Sequence, residues 1–392
     1  GATTLTMRGD EIIKDADIVI ENNRIKAVGV RGKVAIPIGA KIRDLSSKYI
    51  TPGFIDTHLH RTERTQLLDY ETWGFPLNLA YGVTAGIDPA AKVDSFIYQD
   101  LIDAGVIIGQ RAYSTGPYII SNRIRNVSEQ QALALVRRYK EHYRTGNIKI
   151  YMGIDRLTRQ YLAVAAKKLG VMQTTETGDL MFNPTYAIDG LTAIEHSQSP
   201  AYKDVIELYR QSNIGYSPTV LTYNGGGLNG SYYFFATQNP LNDSKLKRFV
   251  PQNILANILR RWPSGGHESE YIFDQYAATA TKIFRTTGKV STGTHGFDGN
   301  SNLAGLGVHW EIQAMTMGGA TAHEALQMAT IGGAKVIGRA TELGSLEPNK
   351  YADLIIFDKN PLENIRNTES ISQVMKNGRL YNGDDLSEIR TK

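Results

Sequence analysis

The sequence predicts an α/β fold: a (β/α)8 TIM barrel with a small β-sandwich built from the N- and C-terminal segments. The long middle of the 392-residue chain alternates short apolar runs with helical patterns, which is typical of βα units around a parallel sheet. Both ends of the chain show strand-like alternation broken by short polar turns instead. We therefore expect a composite β-sandwich of residues 1–50 and 341–392, and a barrel of residues 51–340.

The predicted elements follow in chain order. Strand-like runs surround Leu5, Ile18 and Ile25 near the N-terminus, and two more lie at 353–358 and 374–381 near the C-terminus. The middle contains eight candidate strands, at 54–58, 84–87, 111–114, 148–151, 171–175, 193–196, 215–220 and 290–294. Candidate helices lie between them at 95–104, 128–142, 158–169, 204–212 and 271–287. The stretch 223–266 is long for one connection, and such excursions are typically lids or substrate loops.

Composition excludes several classes of protein. The 43 basic and 39 acidic residues give a net charge of only +4, spread along the chain, so we expect no nucleic-acid partner. No run of 18 apolar residues is present, so we expect no membrane span. The absence of cysteine excludes disulfides, thiolate metal sites and a cysteine nucleophile. The N-terminus has no signal-peptide layout, and the compartment, cytoplasmic or exported, stays open.

The most informative segment is 51–60, an apolar run that ends in two histidines one residue apart. Side chains at i and i+2 of a strand point to the same side, so His58 and His60 can direct both imidazoles at one point. A metal ion requires this arrangement, and a hydrophobic core does not. Catalytic residues of a parallel barrel lie at the C-terminal ends of its strands, where these histidines fall.

Two further histidines follow predicted strands, His196 after the sixth and His295 after the eighth. Each of them alone is more often an ordinary packed or surface histidine. Together with His58 and His60 they put four of the eight histidines of the chain at predicted barrel strand ends. That convergence favours a metal site over chance placement.

Three other residues near strand ends each allow two interpretations. Lys149, in the fourth predicted strand, is either a surface lysine or a buried one, which carbamylation would convert to a carboxylate able to bridge two cations. Glu176, after the fifth, either ligates metal or moves protons, or it begins a helix. Tyr223, after the seventh, either contacts substrate or packs within a loop.

The chemistry expected of such a site is hydrolysis. One or two divalent ions, with zinc the expected metal, would lower the pKa of bound water toward neutrality, and the hydroxide would attack a carbonyl or phosphoryl centre. This reaction needs no covalent nucleophile, in agreement with the absence of cysteine and of a G-x-S-x-G elbow.

The sequence resembles the metal-dependent amidohydrolase superfamily, and within it the imidazolonepropionase-like and prolidase-like branch. The segment 51–60 is similar to the first-strand metal motif of the family, and 82–88 to its second-strand signature. The segments 148–151 and 194–197 resemble those that carry the carbamylated lysine and the sixth-strand metal histidine. The tail from 344 to 354 resembles the return of the chain to the family's β-sandwich.

Two positions depart from the pattern of the family. The fifth-strand histidine is replaced by Thr174, with Glu176 two residues later, and the eighth-strand aspartate is replaced by His295. Glu176 is a candidate for the missing ligand, and His295 for binding metal or relaying protons. A subgroup sometimes fused to a TolB-like β-propeller shares this pattern, and the chain resembles its catalytic portion.

The resemblance implies a hydrolase of a C–N bond, amide or dipeptide-like, acting on a small molecule. His58, His60, Lys149, His196, Glu176 and His295 would form the metal site, Glu176 and His295 would also serve catalysis, and Tyr223 would bind substrate. Two alternatives remain open: a lactonase or phosphotriesterase with the same site, and a catalytically impaired binding or scaffold protein. We also expect a homo-oligomer, because symmetric assembly is common among soluble proteins.

Overall fold

A computed structural model describes residues 1–60, 72–89, 95–120, 124–151, 153–178, 181–196, 201–222, 231–260, 268–296 and 303–389. Its strands are β1 (Ala2–Leu5), β2 (Ile12–Glu21), β3 (Arg24–Val30), β4 (Tyr49–Pro52), β5 (Phe54–Asp56), β6 (Val83–Asp88), β7 (Arg111–Ser114), β8 (Asn147–Ile150), β9 (Met172–Thr175), β10 (Ala193–Glu195), β11 (Gly215–Ser217), β12 (Leu354–Phe357), β13 (Ile371–Lys376) and β14 (Arg379–Asn382).

The α-helices are α1 (Gly74–Ala80), α2 (Ser95–Asp103), α3 (Glu129–Glu141), α4 (Arg156–Leu169), α5 (Phe182–Ile188), α6 (Lys203–Ser212), α7 (Ser231–Gln238), α8 (Ser244–Phe249), α9 (Gln252–Arg260), α10 (Glu268–Thr287), α11 (Leu306–Met317), α12 (Ala322–Gln327) and α13 (Gly333–Val336). A π-helical turn, Met328–Gly332, joins the last two, and short 3-10 turns lie at Pro240–Asn242 and Ile365–Glu369. None of the described helices is long and apolar enough to cross a membrane.

The two ends of the chain meet in one seven-stranded sheet, in the order β14-β13-β12-β4-β1-β2-β3. β4 is its junction, since it pairs parallel with β1 and antiparallel with β12. The pairing of N- and C-terminal segments is as predicted. The described residues place these strands in a single sheet, and the predicted sandwich of two sheets is not confirmed.

β4 leads directly into β5, the first of seven parallel strands of the middle region. β5, β6 and β7 form one sheet, and β8 to β11 form another. Every residue of β6 and of β8 is buried. Burial on both faces is typical of parallel strands that are covered by helices, so the middle of the chain is a TIM-barrel-like α/β fold.

The eighth predicted strand, 290–294, is present only as two isolated parallel bridges, Tyr216 with Val290 and Asp56 with Thr292. These bridges put residues 290–292 between β11 and β5. A continuous closed sheet is not found among the described residues. The strand stays short because the chain bends just after it, where His295 adopts a left-handed conformation with φ of 65°.

Helix boundaries follow local chemistry. α3 begins at a capping box in which Ser128 and Gln131 bond each other's backbone, and α4 begins at Asp155, whose carboxylate accepts from the Thr158 amide. α4 ends at Gly170, where φ is 65°. The long excursion between β11 and α10 contains α7, α8 and α9 in its described part, so it is largely helical rather than an irregular loop.

Candidate functional site

Four histidine rings cluster at the C-terminal ends of the parallel strands. His58 follows β5, and its ring centroid lies 4.6 to 4.8 Å from those of His60, His196 and His295. His58 is fully buried, and the other three are partly exposed. The structure therefore brings together all four histidines that the sequence singled out.

The two histidines of the first motif aim at one point. Nε2 of His58 and Nε2 of His60 lie 3.1 Å apart. Two imidazole nitrogens bound to one zinc ion at about 2.0–2.1 Å with tetrahedral angles would be separated by about 3.3 Å. The donor atoms are thus arranged as one shared ion requires. Burial and the neighbouring imidazoles hold the pKa of His58 well below its usual range, so the ring is neutral, the form that binds metal.

The Nδ1 atoms of three rings face other side chains. Nδ1 of His58 lies 3.4 Å from the Glu195 carboxylate, and Nδ1 of His60 lies 3.5 Å from Asp88. Nδ1 of His196 lies 2.8 Å from the Thr219 hydroxyl. The contact with Thr219 orients the ring of His196 and directs its Nε2 into the cluster, whereas Nδ1 of His58 makes no hydrogen bond with the carboxylate beside it.

The predicted lysine is buried beside two carboxylates of the site. Lys149 lies in β8 with no exposed surface, and its Nζ is 2.7 Å from Oε1 of Glu176 and also contacts Glu195. Burial lowers the pKa of Lys149, although Glu176 acts in the opposite direction. Its interpretation as a surface lysine is therefore wrong.

Glu176, directly after β9, joins the lysine to the histidines. Its Oε2 lies 2.6 Å from Nε2 of His196. Burial would raise the pKa of this carboxyl, but the charge of Lys149 and the hydrogen bond with His196 lower it below its usual range. Glu176 is therefore an ionised carboxylate within the cluster and does not begin a helix, since the next one starts at Phe182.

Glu195 is a site residue that sequence reasoning did not select. It is 2% exposed, and its Oε1 accepts a hydrogen bond of 2.9 Å from the hydroxyl of Thr174. Strict alternation along a strand would put Glu195 and His196 on opposite sides. β10 instead ends at Glu195, and the left-handed backbone of His196, with φ of 68°, brings both side chains to one site.

The described residues offer two groups of metal-ligand atoms. One consists of His58, His196 and His295, and the other of Glu176, Glu195 and His196, and within each group all ligand atoms lie within 4.8 Å of one another. Nδ1 of His58 is buried and makes no hydrogen bond among these residues. Imidazoles beside carboxylates are a donor set for zinc and similar divalent ions, so the residues fit a metal. Tyr223, the predicted substrate contact, lies outside the described residues.

Comparisons with known proteins agree with this geometry. Residues 288–381 match the profile of the Amidohydrolase family. The imidazolonepropionase of Geobacillus sp. (strain WCH70) is 22% identical over 94% of this chain and 90% of its own, and the 5-methylthioadenosine/S-adenosylhomocysteine deaminase of Symbiobacterium thermophilum is 24% identical over 91% and 84%. The crystal structure of a Xaa-Pro dipeptidase with bound methionine superposes with a TM-score of 0.71, at 21% identity, over 97% of this chain and 98% of that one.

A TIM-barrel-like fold with a cluster of histidines and carboxylates at its strand ends supports a metal-dependent hydrolase. The chain is similar to members of the amidohydrolase superfamily, among them imidazolonepropionases, and it shares the fold of a Xaa-Pro dipeptidase. These similarities indicate a hydrolase of carbon–nitrogen bonds, in agreement with the predicted family and enzyme class.

Proposed function

We propose that this chain cleaves an amide or dipeptide-like C–N bond of a small molecule. The observation that carries the proposal is the convergence of His58, His60, His196 and His295 with Glu176 at one end of the parallel strands. In the proposed architecture, residues 51–340 form the catalytic barrel. Residues 1–50 and 341–392 form the second domain, and the predictions of a sandwich and of a homo-oligomer are kept.

The metal site that we propose contains the four histidines with Glu176 and Lys149, and zinc is the proposed ion. Glu195 lies among the same donor atoms. A divalent ion held there would lower the pKa of a bound water and polarise the substrate carbonyl. These side chains lie at or directly after the ends of strands, so the parallel strands hold their backbone in place.

Lys149 is proposed to carry a carbamate in the working enzyme. Its amine has no exposed surface, and burial lowers its pKa, which favours the uncharged amine that reacts with CO2, although Glu176 acts in the opposite direction. An uncharged amine adds CO2 and loses a proton, which yields a carboxylate at the same place. Protein equilibrated with 13C-labelled bicarbonate should show one carbamate resonance that is absent from Lys149→Met. A spectrum without that resonance would overturn this assignment.

Glu176 and His295 are proposed to move protons. Hydrolysis of an amide transfers a proton from the attacking water to the leaving nitrogen. Glu176 lies in the cluster as an ionised carboxylate, the form that accepts a proton. His295 lies across the cluster, with its ring stacked 4.7 Å from that of His58, and imidazole can accept and return a proton near neutral pH.

The test is a substrate panel of dipeptides, N-acyl amino acids, lactones and aryl phosphotriesters, assayed with metal-loaded wild type and His196→Ala. We expect turnover of one or more amides by the wild type and loss of that turnover in the variant. Turnover of lactones or phosphotriesters alone would replace the proposed bond. Metal retained with no turnover of any class would favour a binding protein. The proposed role of Tyr223 is tested in the same panel by Tyr223→Phe.

A further inference from the structure

A buried glutamate on α11 contacts the loops of the site from behind. Glu311 has no exposed surface, and its Oε1 accepts a hydrogen bond of 2.9 Å from the backbone amide of Leu221. The backbone amide of Gly293 also interacts with this carboxyl. One side chain thereby connects the segment after β11 with the segment that leads to His295.

Both connected segments carry site residues. Leu221 follows Thr219 by two residues, and the Thr219 hydroxyl lies 2.8 Å from Nδ1 of His196. Thr219 has φ of 43°, a left-handed conformation that is unfavourable for a β-branched residue and must be held by its surroundings. In the other segment, Gly293 precedes His295 by two residues. It also lies close to His58, since a Cβ built on Gly293 would be 2.8 Å from Cβ of His58.

The helix that carries Glu311 fits tightly against the same two segments. A Cβ added to Gly307, one turn earlier on α11, would lie 3.1 Å from Thr294 and 3.8 Å from Leu221. Burial raises the pKa of Glu311 well above its usual range, so the side chain is a neutral carboxylic acid, and no cation balances it among the described residues. As a neutral acceptor of hydrogen bonds from backbone amides, Glu311 holds these segments in place and does not change the charge of the site.

We propose that Glu311 is a positioning residue that fixes His196, through Thr219, and His295, through Gly293, in the geometry that binds metal. This inference rests on the proposed function of the site. It attributes the conformation of two ligands on different strands to one carboxyl group that does not itself touch the metal or the substrate.

The variants that test it are Glu311→Gln, which keeps an oxygen acceptor without an acidic proton, and Glu311→Met, which removes every acceptor. Gln313→Met is the matched control, since Gln313 is a buried polar residue of the same helix that bonds Gln238 and Glu369. Co2+ is the metal probe, because its visible absorption reports ligand geometry independently of turnover.

In metal-free protein, hydrogen exchange of peptides covering 215–222 and 290–296 should be about tenfold faster in Glu311→Met, because the acceptor of the amide protons is lost. Glu311→Gln and Gln313→Met should exchange there as the wild type does. With Co2+, Glu311→Met should show an altered spectrum and a lower kcat, whereas Glu311→Gln should restore both.

Unchanged exchange and an unchanged Co2+ spectrum in folded Glu311→Met would overturn the positioning role. Equal losses in Glu311→Gln and Glu311→Met would overturn it as well, since they would show that the acid itself is needed. If wild-type protein binds no Co2+, the proposed function fails, and the exchange data on metal-free protein still decide whether Glu311 holds the two segments.

Discussion

The hydroxyl of Thr174 donates a hydrogen bond of 2.9 Å to Oε1 of Glu195. The family that the sequence resembles places a histidine at this point of the fifth strand, and here the short side chain of Thr174 supports a carboxylate from the neighbouring strand instead. That carboxylate contacts Lys149 and faces Nδ1 of His58. Where the fifth strand has Thr174, the site thus contains the carboxylate of Glu195.

Replacement of Glu195 should weaken metal binding. Glu195→Gln removes the negative charge that faces His58 and Lys149 but keeps the volume of the side chain. Loss of such a partner typically costs about 10- to 100-fold in metal affinity, and we expect a decrease of this size in a competition titration with a zinc chelator. Glu141→Gln, on the exposed face of α3, is the control and should bind as the wild type does. Equal affinities of Glu195→Gln and wild type would contradict this role.

A methyl group at Gly293 should disturb the site without removing a ligand. The added Cβ would lie 2.8 Å from Cβ of His58 and 3.0 Å from Cγ2 of Thr219, so one of them must move. Overpacking of this kind costs about 1–3 kcal/mol. We expect Gly293→Ala to have a lower Tm and a lower metal affinity, measured by calorimetry and titration. Gly146→Ala meets no atom within 4 Å and should match the wild type. Unchanged metal binding in Gly293→Ala would show that the space is more adaptable than the structure indicates.

Buried His309 should make the fold sensitive to acid. Its ring lies in the core with Nε2 3.0 Å from the carbonyl of Tyr81, and burial lowers its pKa from 6.5 to about 3. Between these values the unfolded chain binds a proton that the folded chain does not, so stability falls as the pH falls. From pH 7 to pH 5 this group should cost about 2 kcal/mol, at about 1.4 kcal/mol per pH unit below 6.5.

Denaturant unfolding at the two pH values checks this expectation. His309→Gln should lose less stability on acidification than the wild type, and His142→Gln, at an exposed position, should lose as much as the wild type does. The same loss in all three proteins would mean that His309 takes up its proton without unfolding.

The sequence predicted the parts of the site that strand alternation governs. His58 and His60 share one side of an extended run, and His196 and His295 each follow a predicted strand. The convergence of these four histidines can therefore be inferred from the order of residues alone. Glu195 could not be inferred in this way, because its orientation depends on the left-handed backbone at His196. The lid expected between β11 and α10 proved largely helical in its described part.

The role of Glu311 was hidden for a different reason. Helices were recognised from amphipathic periodicity, and α11 is buried along nearly its whole length, so it has no polar face and gives no periodic signal. The eighth strand was overestimated because its apolar and small residues favour extension, while the turn at His295 that ends it depends on contacts with His58.

The metal content of the purified protein tests the proposed metal site most directly. Purified wild type and His196→Ala, with His142→Ala as the matched control, are dialysed against zinc-free buffer after loading, and bound zinc is counted by mass spectrometry of the metal. We expect one or two ions per chain in the wild type and in His142→Ala, and a marked loss in His196→Ala. Folded wild-type protein that retains no divalent ion, or a content unaffected by His196→Ala, would show that these strand-end histidines do not form a metal site.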